Sequence, residues 1–265
     1  RTSEGSDKIS YLRNSHNQKD WFMPKLSFII PVYKKEHILE KCLKSLAAQS
    51  LKDWEAICVL DGPSDEAVSI IRRFKKNNVS WVEIEHSGAC RARNYGFNLA
   101  KGDYIVFWDS DCLIEPDTAK MWVEMFEQKK DIDFIYSGYK FLGENGGIPS
   151  EPFDPWTLKI RNYISTCFPI RREKVQKWNE DLKSLQDWDF WLKVVEAGGN
   201  GLFIPGYAFS TELPDHESIS GKGCTNEVWL ERLDAVKKLH GLPERDICVS
   251  SQLYRDDGIA LAKML

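Results

Sequence analysis

Two carboxylates one residue apart, Asp109 and Asp111, close the apolar run Tyr104-Ile105-Val106-Phe107-Trp108. Alternate side chains of a strand share a face, so both acids can reach one hard cation, Mn2+ or Mg2+. A metal held there can bridge two phosphates and neutralise a departing diphosphate. An isolated Asp-x-Asp is more often a solvated acidic turn, and its position at a strand's end is what favours chemistry. Asp61, before Gly62, offers a carboxylate that can accept an N–H from a nucleobase, or can merely shape a turn. Gly88-Ala89-Cys90-Arg91-Ala92-Arg93-Asn94 opens a helix whose first N–H groups suit a diphosphate, Arg91 reading as a surface charge. Asp187, in Gln186-Asp187-Trp188-Asp189, can take the proton of an acceptor hydroxyl, while Asp189 reads as a helix cap. His216, set between Asp215 and Glu217, offers an imidazole nitrogen as a third ligand for manganese, against the plainer role of an exposed loop histidine.

These residues need elements to position them. From Lys25 short apolar runs alternate with amphipathic stretches. Leu26 to Pro31, Glu55 to Leu60, Trp81 to Glu85 and Tyr104 to Trp108 predict strands. Helices are expected between them: one on Ile38, Leu39, Cys42, Leu43 and Leu46, one from Asp65 to Lys76, and one on Ala92, Gly96, Leu99 and Ala100. Such alternation implies an α/β fold, a Rossmann-like, mostly parallel sheet flanked by helices. Ligands then bind beyond the carboxyl ends of the strands, which puts Pro31-Val32-Tyr33, Asp61-Gly62 and Asp109-Ser110-Asp111 on one rim.

Beyond Asp111 the pattern predicts a helix from Pro116 to Gln128, a strand from Phe134 to Leu142, and a loop from Gly143 to Trp156. A strand from Tyr163 to Ile170 follows, then an aromatic helix on Trp188, Trp191, Leu192 and Val195 and a strand from Gly201 to Phe209. A last helix from Thr225 to His240 turns Trp229, Leu233 and Val236 inward. The expected organisation is a polar extension over 1–24, one domain over 25–220 and a helical C-terminal extension over 221–265. A helical pattern is still open at Leu265, which points to a longer protein.

The net charge of -4 gives no footprint for nucleic acid. No apolar run approaches the roughly 20 residues of a transmembrane segment, and the polar first 23 residues do not read as a secretory signal. Seven cysteines without a CxxC pair suit a reducing, cytoplasmic location, with peripheral contact to a membrane surface as the variant. A Walker loop is absent, and the place after the first strand reads Pro31-Val32-Tyr33-Lys34-Lys35, without the glycine-rich loop of a sugar nucleotidyltransferase. A non-catalytic carbohydrate- or nucleotide-binding module is the alternative from outside enzymology.

Leu26 to Tyr33, Asp61-Gly62-Pro63-Ser64-Asp65, Ala92-Arg93-Asn94, Asp109-Ser110-Asp111 and Gln186-Asp187-Trp188-Asp189 stand in one order at fitting distances. Together they resemble a family 2 inverting glycosyltransferase of GT-A fold, over roughly Lys25 to Ser220. The resemblance implies that Pro31, Val32, Tyr33 and Asp61 embrace the nucleoside, most often of a UDP-sugar. It implies that Arg93 lies near the diphosphate, that Ser110 belongs to the donor pocket, and that Asp109 and Asp111 serve the metal. Asp187 matches the general base, acting on a carbohydrate or glycolipid acceptor. His216, followed by Ser218 and Ser220, is similar to a segment that folds back over the donor. The family usually has two acids where this chain has Leu60-Asp61, and Glu-Asp where it has Gln186-Asp187.

Overall fold

The computed structural model describes residues 23–144, 146–213 and 226–243. His216 lies outside them, as do most of the N-terminal extension and the chain beyond residue 243. β1 (Leu26–Val32) is apolar on both faces and must be covered on both sides. α1 (Glu36–Ala47) buries the five residues whose spacing announced it. β2 (Trp54–Asp61), α2 (Asp65–Arg72), β3 (Val79–Ile84), α3 (Ala89–Leu99) and β4 (Tyr104–Phe107) complete the first half. The Ser64 hydroxyl caps α2 by accepting the Ala67 N–H at 3.1 Å. That helix is shorter than expected: a single tight turn at Lys75–Asn77 and left-handed Asn78 (φ 58°) lead the chain into β3.

Gly96 explains how closely α3 approaches the sheet, because a Cβ there would meet Ile29 Cγ2 at 2.4 Å. β3, β2, β1 and β4 lie side by side and parallel. The strand order reverses at β1, so the crevice between the carboxyl ends of β1 and β4 is where such a sheet takes a ligand.

The second half comprises β5 (Cys112–Ile114), α4 (Thr118–Gln128), β6 (Phe134–Phe141), β7 (Gly147–Ile148), α5 (Pro155–Ile160), β8 (Pro169–Arg171), α6 (Gln186–Glu196), β9 (Gly201–Thr211) and α7 (Asn226–Leu239). The sheet runs β3-β2-β1-β4-β8-β6-β9-β5, with β7 on β6. Beyond β4 it is mixed: β8 is antiparallel to β4 and β6, β9 is parallel to β6, and β5 is antiparallel to β9. The expected parallel order therefore holds for the first four strands and gives way to a mixed sheet from β8 onward, although helices still separate several of the later strands.

The strand expected from Tyr163 to Ile170 shrinks to Pro169–Arg171. Ile164, Cys167 and Phe168 are buried without joining the sheet. That segment is held instead by side chains, the Ser150 hydroxyl donating to Tyr163 O and the Ile164 N–H to Asn162 Oδ1. Its apolar character reports burial, not pairing. The expected loop at Gly143 to Trp156 contains β7 and the start of α5, whose Asp154 cap accepts from Trp156 and Thr157.

The core of the site's end is aromatic: Trp178 stacks on Phe190 at 4.4 Å, and both meet Phe107 edge-on. Asp189 proves to be no cap. It is fully buried and accepts from Lys193 at 2.6 Å and from His240 Nε2 at 3.0 Å, which ties α6 to the segment after α7. Leu233 and Val236 are buried as expected. No helix among the described residues is long and apolar enough to cross a membrane.

Candidate active site

Asp61, at the end of β2, is 2% exposed and accepts the N–H groups of Ser87 at 2.7 Å and Gly88 at 2.9 Å. His86 Nδ1 lies 3.0 Å from Asp61 Oδ2, the oxygen that also accepts from Gly88, and 3.1 Å from the Asp61 carbonyl. Its imidazole stacks on Tyr33 at 4.2 Å. Asp61 thus shapes the β3–α3 loop and, through His86, supports the Tyr33 ring, which is 47% exposed at the rim. The imidazole backs the ring, and the Lys34 ammonium also lies over it at 5.3 Å. Pro31 and Val32 line the same strand end, Val32 buried and Pro31 partly open.

Arg93, on α3, is buried, and its guanidinium donates to Asp109 Oδ1 at 2.9 Å and Gln186 Oε1 at 3.4 Å. It also lies over the Trp178 ring at 4.5 Å. One arginine therefore joins the acidic strand end to the start of α6. Ser110 is buried between the two acids. Asp111 receives Lys35 Nζ at 3.2 Å and the Thr211 hydroxyl at 3.5 Å. Burial and the neighbouring Asp109 charge push the Asp111 carboxyl above its ordinary value, outweighing Lys35.

Asp187 is the second residue of α6, and Leu185, with a left-handed backbone (φ 56°), turns the chain into the helix. Its carboxylate accepts from Asn162 Nδ2 and from the Trp188 N–H, each at 2.9 Å. Burial raises its carboxyl above the usual range despite both hydrogen bonds. α5 is fastened beneath it, because Trp188 Nε1 donates to Leu158 O at 2.6 Å.

Two donor sets could be considered for a metal. Asp109, Cys112 and Cys167 present ligand atoms within 4.8 Å of one another. Burial, however, pushes the Cys112 thiol up to about 11 and the Cys167 thiol well above its ordinary value, which disfavours the thiolates that a metal would need. Asp109 and Asp111 offer carboxylate oxygens whose mutual repulsion a divalent cation would relieve, and this pair fits Mn2+ or Mg2+.

Lys35, Glu212, Asn162 and Gln186 join the site without having been assigned a task from the sequence. For Glu212 no local signal existed, since β9 brings it beside Asp111 from 101 positions away.

Comparison with known proteins gives the following. The model described as Glycosyl transferase family 2 matches residues 27–180. An uncharacterized glycosyltransferase of Methanocaldococcus jannaschii is 30% identical over 212 residues, 74% of this chain and 73% of that protein. A poly(ribitol-phosphate) beta-glucosyltransferase of Bacillus spizizenii is 35% identical over 136 residues, 49% of this chain and only 21% of that much longer protein. The chondroitin synthases of Escherichia coli and Pasteurella multocida are likewise matched over only 27% and 20% of their lengths. Among solved structures, S. aureus TarS 1-349 in complex with UDP-GlcNAc superposes with a TM-score of 0.70 at 20% identity, over 81% of this chain and 66% of that one. A mannosyltransferase from Pyrobaculum calidifontis in complex with GDP-Man and Mn2+ gives 0.59 at 18% identity, over 82% and 63%. These two likenesses establish a shared GT-A fold.

Proposed function

Because this chain belongs to glycosyl transferase family 2, we propose that it moves a sugar from a UDP-sugar to an acceptor hydroxyl, with inversion and with Asp187 as general base. The observation that carries this reading is the link from Asp187 to the donor rim, through Gln186 and Arg93 to Asp109. In direct displacement the acceptor oxygen attacks the anomeric carbon opposite the departing diphosphate, so one in-line step inverts the centre. Asp187 takes the acceptor's proton, and a carboxyl raised by burial is better matched to that task near neutral pH.

Tyr33 provides the stacking surface for the base, with Pro31, Val32, Asp61 and Ser110 around the donor. Arg93 acts toward the diphosphate by orienting Asp109. Asp109 and Asp111 would hold the divalent ion, which when bound neutralises charge on the departing diphosphate. His216 as a third ligand belongs to the same proposal and rests on the sequence. UDP is favoured by the family resemblance and by the relative solved with UDP-GlcNAc. The acceptor is a carbohydrate or glycolipid hydroxyl, in polysaccharide synthesis on the cytoplasmic side.

The test is a thermal-shift screen of nucleotide-sugars with Mn2+, in which a donor at about 100 times its Kd adds roughly 2.7 kcal/mol of apparent stability. Excess chelator should remove that shift. Asp187→Asn should keep it while turnover, read as nucleotide release, falls by roughly 10² to 10⁴. Full turnover in the Asn variant would move the base elsewhere. Donor binding with no release by the unaltered protein toward any acceptor hydroxyl would favour the binding-module alternative.

A further inference from the structure

The donor rim carries a cation that the proposed reaction leaves without a task. Lys35 stands at the start of α1, just after Lys34, whose left-handed backbone (φ 52°) breaks the direction of β1. Its Nζ lies 3.2 Å from Asp111 Oδ2 and 3.6 Å from Glu212 Oε2. Glu212 is brought there by the β5–β9 ladder, which pairs Cys112 with Thr211, and is also met by His37 Nε2 at 3.0 Å.

The other cation at the acidic strand end is of a different kind. Arg93 is buried, stacked on Trp178 and shared with Gln186, so it cannot leave Asp109 without losing all three contacts. Lys35 is a point charge on a flexible stem, and Glu212 gives it a second carboxylate within reach.

We propose that Lys35 is a donor-binding residue that couples metal to diphosphate: it neutralises Asp111 before the donor binds, yields that carboxylate to the incoming divalent ion, and turns its ammonium onto the diphosphate. The inference rests on the reading of Asp109 and Asp111 as metal ligands. A divalent ion alone must displace Lys35 and leave it beside other positive charge. A diphosphate alone must approach the carboxylates of Asp109, Asp111 and Glu212. Arriving together, the two ligands compensate each other, and Lys35 moves from one anion to another. Each ligand must then raise the affinity of the other by the same factor.

Mn2+ binding to the whole chain, followed by the paramagnetic signal of the free ion with and without UDP, tests this apart from activity. Lys35→Met should bind Mn2+ alone about three- to fivefold more tightly, the size of a partly exposed ion pair. The enhancement of Mn2+ affinity by UDP should shrink at least as much, while Lys35→Arg keeps the native pattern. Unchanged or weaker Mn2+ affinity in Lys35→Met overturns the proposal, and so does an undiminished UDP effect. If the unaltered protein binds no Mn2+ even with UDP, the metal reading itself falls and takes this inference with it. Normal binding by both proteins sinks the coupling alone.

Discussion

Asp187 and Asp189 stand two positions apart on α6, and burial works against the charge of both. At Asp187 the opposing contacts are an amide and a backbone N–H, and burial wins. At Asp189 a lysine and a histidine outweigh burial and lower the carboxyl below its ordinary value. The first acid is thereby made the better proton acceptor of the two, and the other is held as an anion that fastens structure. Asn162 is the residue that restrains Asp187, since its N–H stabilises the ionised form. Asn162→Ala should therefore raise that carboxyl further. Under the proposed role of Asp187 the ionised form is the active one, so the acid limb of the kcat profile should move to higher pH, with donor affinity unchanged. A profile that stays in place would separate Asn162 from the base.

α3 is the element on which the rim depends, because it carries Arg93 and lies directly on β1. Its stripe of small residues was legible in the sequence, and Gly96 is the closest point. Gly96→Ala would set a methyl against Ile29 and also crowd Val59, whose Cγ2 is 3.1 Å from the added carbon. Neither neighbour can yield freely inside a packed sheet, so the variant should lose about 1–3 kcal/mol in denaturant unfolding. Donor affinity should drop as well, since a lifted α3 draws Arg93 from Asp109. A variant with native stability would mean that the helix shifts without cost. Local rules also gave α1 and α2, whose buried faces follow helical spacing, and α6, which is buried on more sides than its expected stripe, from Trp188 through Leu192. They could not give β5, three residues long and without a readable period.

Across the whole molecule the C-terminal helix is fastened to the domain by His240, which meets Asp189 and Glu196 with its two nitrogens. Burial opposes the imidazolium, yet these two acids outweigh it and raise the histidine above its ordinary value. Its contribution is thus complete below about pH 6.5, the unfolded value, and is lost as pH rises through the raised folded one. Asp189, lowered, contributes above about pH 3.9 and loses its part as pH falls through its own folded value. His240→Gln should lower the thermal midpoint most near pH 6 and least in alkaline solution. An equal loss at every pH would show that shape, not charge, holds the helix. The sequence by itself determined the first four strands, their crossovers and the motifs at their ends, because period, caps and breakers act within a few residues. Only the tertiary structure decided the mixed second half, the unpaired buried segment at 163–168 and the meeting of Asp111 with Thr211 across 100 positions. Those arrangements come from closing long loops onto a shared core, where packing and hydrogen-bond geometry choose among pairings that look alike along the chain.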